Sequence, residues 1–290
     1  TGQNNIYYLT DFWGTNATVF ITKNRRLFLT DSRYTLIAKQ SVHGFDIIES
    51  KDPLKDIVKI IEADKLETIG FDNQVSFAYY QGLQAIFEGY TLLPQTNFME
   101  ELRMIKDEKE LATIRKACSI SDRAFTDVLD FIKPGQTTEL QVANFLDFRM
   151  REYGASGISF ESIIASGYRS AMPHGVASEK VIQSGETLTM DFGCYYNHYV
   201  SDMTRTIHIG DTTDEEREIY DIVLRSNQAL IDAAKAGMTR RDYDKVARDV
   251  IVEPGVYLAD KYGVRIEDDI IITENGCELI TLAPKELIVL

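Results

Sequence analysis

Long apolar runs are missing from this chain: nothing approaches the roughly 18 consecutive apolar residues of a membrane-spanning helix. Cysteine is scarce, with only Cys118, Cys194 and Cys277, scattered and without a C-x-x-C pair. That pattern excludes a thiolate zinc site and fits a reducing, cytoplasmic compartment. The opening residues, Thr1-Gly2-Gln3-Asn4-Asn5, show neither the basic nor the apolar region of a signal peptide. Basic charge is also short: 31 Lys and Arg stand against 45 Asp and Glu, a net charge of −14. Nucleic acid and anionic membrane surfaces would be repelled, so neither is an expected partner. The chain has no G-x-S-x-G elbow and no cysteine in a nucleophile motif, which leaves serine and cysteine hydrolase chemistry unsupported.

What is present is the composition of an ordinary globular protein, 44% hydrophobic and 26% charged over 290 residues, long enough for two domains. Residues 1 to 100 alternate short β-rich runs with helical stretches, an α/β signature. Ala17–Thr22 and Leu27–Thr30 read as a hairpin, Gly44–Ile48 and Thr68–Phe71 as strands, and Pro53–Ala63 and Ser76–Phe87 as helices. No catalytic constellation stands out there.

The rhythm changes near Asn97–Glu101, and residues 101 to 290 form the second expected domain. Leu111, Ile114, Ala117, Ile120, Ala124, Val128 and Phe131 have helical spacing, ended by Pro134-Gly135. Thr138-x-x-Gln141 and Thr213-x-x-Glu216 are capping-box starts for helices reaching Tyr153 and Ala236. Strand-like segments lie between and after them, at Ser162–Ala165, Thr187–Cys194, Tyr199–Ile209 and Gly263–Thr273. Helices on one side of an antiparallel sheet, an α+β domain, is the economical reading.

The chemistry concentrates in carboxylates. With a reversal at Tyr196-Asn197, Asp191 and Asp202 become directly opposed partners on one face of a hairpin. Two such groups repel unless one is protonated or a cation lies between them. Alternation adds Thr189, Thr204 and Thr206 to that polar face and sends Leu188, Met190, Phe192, Met203 and Ile207 to an apolar one. The polar face is therefore expected to line a cleft. Arg205 falls on the apolar side with no partner that the sequence identifies. A second ribbon, turning around Asp260, sets Glu253 opposite Glu267 and leaves Asp268 on the other face. Four hard oxygen ligands around one point suit two divalent ions. Solvated surface carboxylates are the plainer alternative for each pair taken alone.

Together the motifs resemble the proline-specific pita-bread metallopeptidases, the group of Xaa-Pro dipeptidases and aminopeptidase P. They are Ala165-Ser-Gly-Tyr-Arg-Ser-Ala-Met-Pro-His174-Gly175, Met190-Asp191-Phe-Gly, Val200-Ser-Asp202-Met-Thr-Arg-Thr206, Glu253-Pro-Gly-Val-Tyr257 and Gly263-Val-Arg-Ile-Glu267-Asp-Asp. Thr30-Asp31-Ser32-Arg33-Tyr34 and the ending Leu282–Leu290 resemble the same family in its bacterial form. The resemblance implies a creatinase-like α/β domain over 1–100 and a pita-bread α+β catalytic domain with an antiparallel sheet over 101–290.

By the same resemblance, Asp191, Asp202, Glu253 and Glu267 would ligate two divalent metal ions, manganese first, with cobalt or zinc as alternatives. Glu253 would double as acid and base, His174 would steady the tetrahedral intermediate, and Arg265 would position substrate or ligands. The substrates implied are small proline-containing peptides and the assembly a homodimer. One departure stands out. The family has a further histidine ligand between the aspartates and the first glutamate. In that interval this chain has only His198 and His208, both inside the first hairpin. Asp249-Val250-Ile251 runs straight into Val252-Glu253-Pro254, where the family has a longer stretch with strands of the sheet. Deleting central strands would bare sheet edges, so an omitted segment between Ile251 and Val252 is expected. Three rival readings remain: aminopeptidase P acting on longer peptides, a metal-free creatinase-like hydrolase and a non-catalytic binding module on the same scaffold.

Overall fold

A computed structural model describes residues 2–250 and 255–290, in two compact units, Thr1–Lys106 and Asp107–Leu290. In the first unit the element order is α1 (Gln3–Thr10), β1 (Ala17–Ile21), β2 (Arg26–Thr30), α2 (Thr35–Ser41), β3 (Asp46–Glu49), α3 (Pro53–Asp64), β4 (Thr68–Asp72), α4 (Phe77–Ile86), β5 (Thr91–Gln95) and α5 (Phe98–Met104). The hairpin β1–β2 is extended by the parallel strand β3, and β4 pairs in parallel with β5. Alternation in β2 sends Leu27 and Leu29 to a core with Ile57, Ile61 and Leu83, and Phe28 to another with Ile6 and Phe12. This unit is α/β.

The second unit opens with two long helices, α6 (Glu108–Phe131) and α7 (Glu139–Glu152). Both start on complete capping boxes, Asp107 with Glu110 and Thr138 with Gln141, which satisfy orphan N–H groups at each start. Gly154, at φ 103°, turns the chain out of α7. Then come β6 (Gly157–Ile158), β7 (Ile163–Ser166), a 3₁₀ turn (Gly167–Ala171), β8 (Glu186–Phe192), β9 (Cys194–Tyr196), β10 (Tyr199–Val200) and β11 (Met203–Ile209). α8 (Asp214–Ala233), capped by Thr213 with Glu216, and α9 (Arg240–Val250) precede β12 (Gly255–Leu258), β13 (Tyr262–Arg265), β14 (Ile270–Ile272) and β15 (Cys277–Leu279). No described helix is long and apolar enough to cross a membrane.

The central sheet is antiparallel in the order β11-β8-β7. Its apolar face, from Leu188, Met190, Phe192, Met203 and Ile207, packs with Ile120, Ala124, Val128, Val142 and Leu146 of the two helices in one buried cluster. Every residue from Thr187 to Phe192 and from Met203 to Ile209 is buried, so the opposite, polar face is covered too. The cover is β13: Thr206 Oγ1 donates to Arg265 O, and Arg265 N donates back to Thr206 Oγ1, each at 3.0 Å. Thr189, Thr204 and Thr206 therefore line a packed interface rather than the expected cleft, because threonine hydroxyls can bond a crossing backbone. Gly263 permits β13 to lie close against the 3₁₀ turn, since a Cβ there would meet Ser170 O at 2.2 Å.

The first ribbon differs from the sequence expectation by two residues. Asp191 pairs with Thr204, not Asp202, and Tyr196 pairs with Tyr199 around Asn197-His198. Those two residues have φ of 45° and 66°, the positive values a two-residue type I′ turn requires. A slip of two leaves each side chain on its face, so Asp202 becomes the diagonal neighbour of Asp191. The second ribbon has the expected register, Gly255 with Arg265 and Leu258 with Tyr262 around Asp260.

Candidate metal centre

Three carboxylates converge where the covered polar face opens. Asp191 is the penultimate residue of β8, Asp202 sits in the break before β11, and Glu267 forms an isolated bridge with Thr204 just past β13. Each offers an oxygen within 4.8 Å of the others. Thr204 ties the two ribbons together: its backbone exchanges hydrogen bonds with Glu267, and its Oγ1 donates to Glu267 Oε2 at 2.6 Å. A cavity of about 630 Å³ adjoins the group, with Asp202 and Glu267 on its wall beside Leu230, Ile231 and Met238.

The electrostatics are those of a site short of positive charge. Burial pushes the Asp191 carboxyl up to about 6 despite the opposing pull of Arg265, and Glu267 adds repulsion. Asp202 rises to about 7, through poor solvation of its carboxylate and then repulsion by Asp191, Glu267 and Asp269, although the residue as a whole stays exposed. Asp191 Oδ1 is buried and has no hydrogen-bond partner among the described residues. A bare anionic oxygen at such a place is costly. Hard carboxylate oxygens, one of them with no partner among the described residues, fit a divalent cation.

Among the described residues, Arg265 is the one cation that enters the group. Its Nη2 donates to Asp191 Oδ2 (2.5 Å), Nε to Thr204 Oγ1 (3.1 Å), and Nη1 to both Pro173 O and Tyr257 Oη (3.0 Å each). The expected residues Asp191, Asp202, Glu267 and Arg265 are thus brought together. His174 is linked only through its neighbour Pro173; its own side chain is exposed and outside the cluster. Glu253, and the junction of Ile251 with Val252, lie outside the described residues. His198 occupies the tight turn, and His208 Nδ1 lies 3.1 Å from Gly210 O.

Sequence reasoning missed the groups that hold the ligand backbones. Asp269 accepts the Asp202 N–H at 2.9 Å. Arg205, fully buried, donates to Glu267 O, Pro284 O and Ala283 O and pairs with Asp268 at 2.7 Å, and Lys285 shares that carboxylate. A charged residue on an apolar strand face, as at Arg205, was the one available signal of a buried ion pair.

The match to known proteins covers both units. Residues 1–105 match the creatinase/prolidase N-terminal domain, and residues 112–253 match metallopeptidase family M24. An Xaa-Pro dipeptidase of Pyrococcus furiosus is 31% identical, over 98% of this chain and 92% of its own length. Among solved structures, an Xaa-Pro dipeptidase from Bacillus anthracis superimposes with a TM-score of 0.95 at 36% identity, over all of this chain and 94% of its own. An X-Pro aminopeptidase from Thermotoga maritima does so with a TM-score of 0.93 at 34% identity, over 99% and 94%. The chain therefore belongs to metallopeptidase family M24, with the pita-bread catalytic fold of the proline-specific peptidases behind a creatinase/prolidase N-terminal domain.

Proposed function

We propose that this protein is a metal-dependent exopeptidase that cleaves the bond between an N-terminal residue and proline, as an Xaa-Pro dipeptidase does. The observation that carries the reading is the convergence of Asp191, Asp202 and Glu267, one of them with a buried oxygen that has no hydrogen-bond partner among the described residues. The substrate class, small proline-containing peptides, is supported by the Pyrococcus and Bacillus relatives.

Asp191, Asp202 and Glu267, with Glu253, would hold two divalent cations, and the all-oxygen set favours manganese over cobalt or zinc. Such cations supply Lewis-acid activation of a water and of the scissile carbonyl. Glu253 takes the proton from the attacking water and passes it to the proline nitrogen. His174, exposed on its loop, donates to the carbonyl oxygen as that atom gains charge. Arg265 holds Asp191 by Oδ2 and leaves Oδ1 without a hydrogen-bond partner among the described residues. The alignment with the Pyrococcus relative runs over 328 positions, against 290 residues in this chain. That excess is gap in the alignment, in keeping with a stretch missing from this chain, and we place it between Ile251 and Val252, where it would bring the histidine ligand. A homodimer in the cytoplasm completes the proposal.

A second reading, an aminopeptidase acting on longer X-Pro peptides, is favoured by the Thermotoga structure. Rates on X-Pro dipeptides and X-Pro-Y tripeptides, with and without Mn²⁺, separate the two. Unchanged hydrolysis by Asp202→Ala would remove both.

A further inference from the structure

The loop that carries His174 leaves β7 at Ser166 and rejoins the fold at Ser178, and both ends fasten to a single carboxylate. Glu139, the first residue of α7, is fully buried. Its Oε1 accepts from Ser166 N (2.7 Å) and Ser166 Oγ (3.0 Å). Its Oε2 accepts from Ser178 N (3.2 Å), Ser178 Oγ (2.6 Å) and Arg169 Nε (2.9 Å). Arg169 spans the loop, because its Nη2 donates to Val176 O at 2.7 Å. Five donors meet two oxygens, and all five belong to the loop or its ends.

The rest of the loop is drawn toward the carboxylate cluster. Pro173 O, one residue before His174, accepts from the Arg265 group that also holds Asp191. Gly175 leaves no slack, since a Cβ there would lie 3.1 Å from the Ala165 Cβ and 3.2 Å from Arg169 O and Met172 O. His174 thus stands on a short arch with fixed ends, held at Ser170 by Thr187 and Gly263 and, one residue from the imidazole, at Pro173 by Arg265.

We propose that Glu139 is a positioning residue for His174, the Glu139–Arg169 clamp setting where the imidazole stands relative to the Asp191–Asp202–Glu267 cluster. The inference rests on the role given to His174 above. Glutamine at 139 must turn an NH₂ group toward one of the two sets of N–H donors, so it keeps the shape of the residue and loses one end of the arch. Misplacing a catalytic group by about 1 Å can cost on the order of 10²-fold in rate.

The test is a cycle in kcat on an X-Pro dipeptide with Mn²⁺, using Glu139→Gln, His174→Ala, the double variant and Arg169→Gln. Arg169→Gln changes a partly exposed side chain and guards against misfolding of the buried variant. The expected result is a fall of about 10- to 100-fold in kcat for Glu139→Gln, a smaller fall for Arg169→Gln, and no further loss when Glu139→Gln is added to His174→Ala. Amide exchange over residues 167–178, measured without substrate, should speed up in Glu139→Gln and Arg169→Gln but not over α6. Losses that multiply in the double variant, or unchanged exchange in that loop, overturn the inference. Parental kcat in His174→Ala overturns instead the role of His174 on which it stands.

Discussion

Arg265 grips one oxygen of Asp191 and leaves the other bare: Nη2 lies 2.5 Å from Oδ2, while the buried Oδ1 has no hydrogen-bond partner among the described residues. The pair is almost dry, with the two side chains 8% and 11% exposed. Removing one partner of such a pair leaves a buried, uncompensated charge, at about 3–5 kcal/mol. Arg265→Met should therefore lower the unfolding free energy of the metal-free protein by about that amount. A bound divalent cation would take over the compensation of Asp191. The deficit should then shrink when Mn²⁺ is present, as read from denaturant midpoints with and without the ion. An equal deficit in both conditions would place the open oxygen elsewhere than on a cation.

The raised carboxylates set the pH dependence of the metal-free state. Asp191 and Asp202 sit at about 6 and about 7, above the ordinary carboxylate range, so the folded protein holds their protons more tightly than the unfolded chain does. Their contribution to stability is fully present below about pH 4 and is lost as pH rises through about 6 and 7. Metal-free protein should accordingly lose denaturation midpoint between about pH 5 and 8. Asp202→Asn, which mimics the neutral form, should flatten that slope. Mn²⁺ should reverse it, because protons and cation compete for the same oxygens. Matching slopes for the parent and Asp202→Asn would show that these carboxylates do not set it.

How much of this could be read beforehand depended on how local each signal is. The starts of α7 and α8 were legible because a capping box lies within four residues, and Thr138 with Gln141 and Thr213 with Glu216 each close one. The β12–β13 register followed from a turn centred on Asp260, itself at φ 60°. The first ribbon was displaced by two because Asn197-His198, an uncommon pair for a tight turn, holds both positive-φ positions. The carboxylate cluster survived that error because the side-chain period of a strand is two. The partners of Glu139 and Arg205 were not legible, since they come from Ser166 and Ser178 in one case and from Ala283 and Pro284 in the other. No periodicity along the chain encodes such meetings.

Thr204 offers a test of the support beneath the ligands. Its hydroxyl donates to Glu267 Oε2 at 2.6 Å and accepts from Arg265 Nε at 3.1 Å, so one atom orients both. Thr204→Val keeps the volume and removes the hydroxyl. Groups that orient metal ligands typically contribute about 10- to 100-fold to metal affinity. Calorimetric titration with Mn²⁺ should show an affinity loss in that range, with the helical content unchanged. Parental affinity would mean that Glu267 is held by its backbone bridge to Thr204 alone.

Gly193 separates β8 from β9, between the strand that carries Asp191 and the turn that leads to Asp202. A Cβ at that position would fall 1.9 Å from Ser201 O and 2.6 Å from Ser159 Oγ. The first contact is with backbone, so no rotamer change relieves it. Ser201 precedes Asp202 directly, and any retreat of Ser201 shifts that carboxylate away from Asp191 and Glu267. Overpacking of this kind costs about 1–3 kcal/mol or more. Gly193→Ala should lose at least that much stability and should also bind Mn²⁺ more weakly, because the strain falls on the ligand geometry. Gly82, inside α4 with nothing within 4 Å of a built Cβ, is the matched control. Gly82→Ala adds the same methyl where a helix welcomes it, and should gain about 0.5–1 kcal/mol with Mn²⁺ affinity unchanged. Chemical denaturation and calorimetry on the two variants read both quantities. A Gly193→Ala protein with parental Mn²⁺ affinity would uncouple the β8–β9 junction from the metal centre.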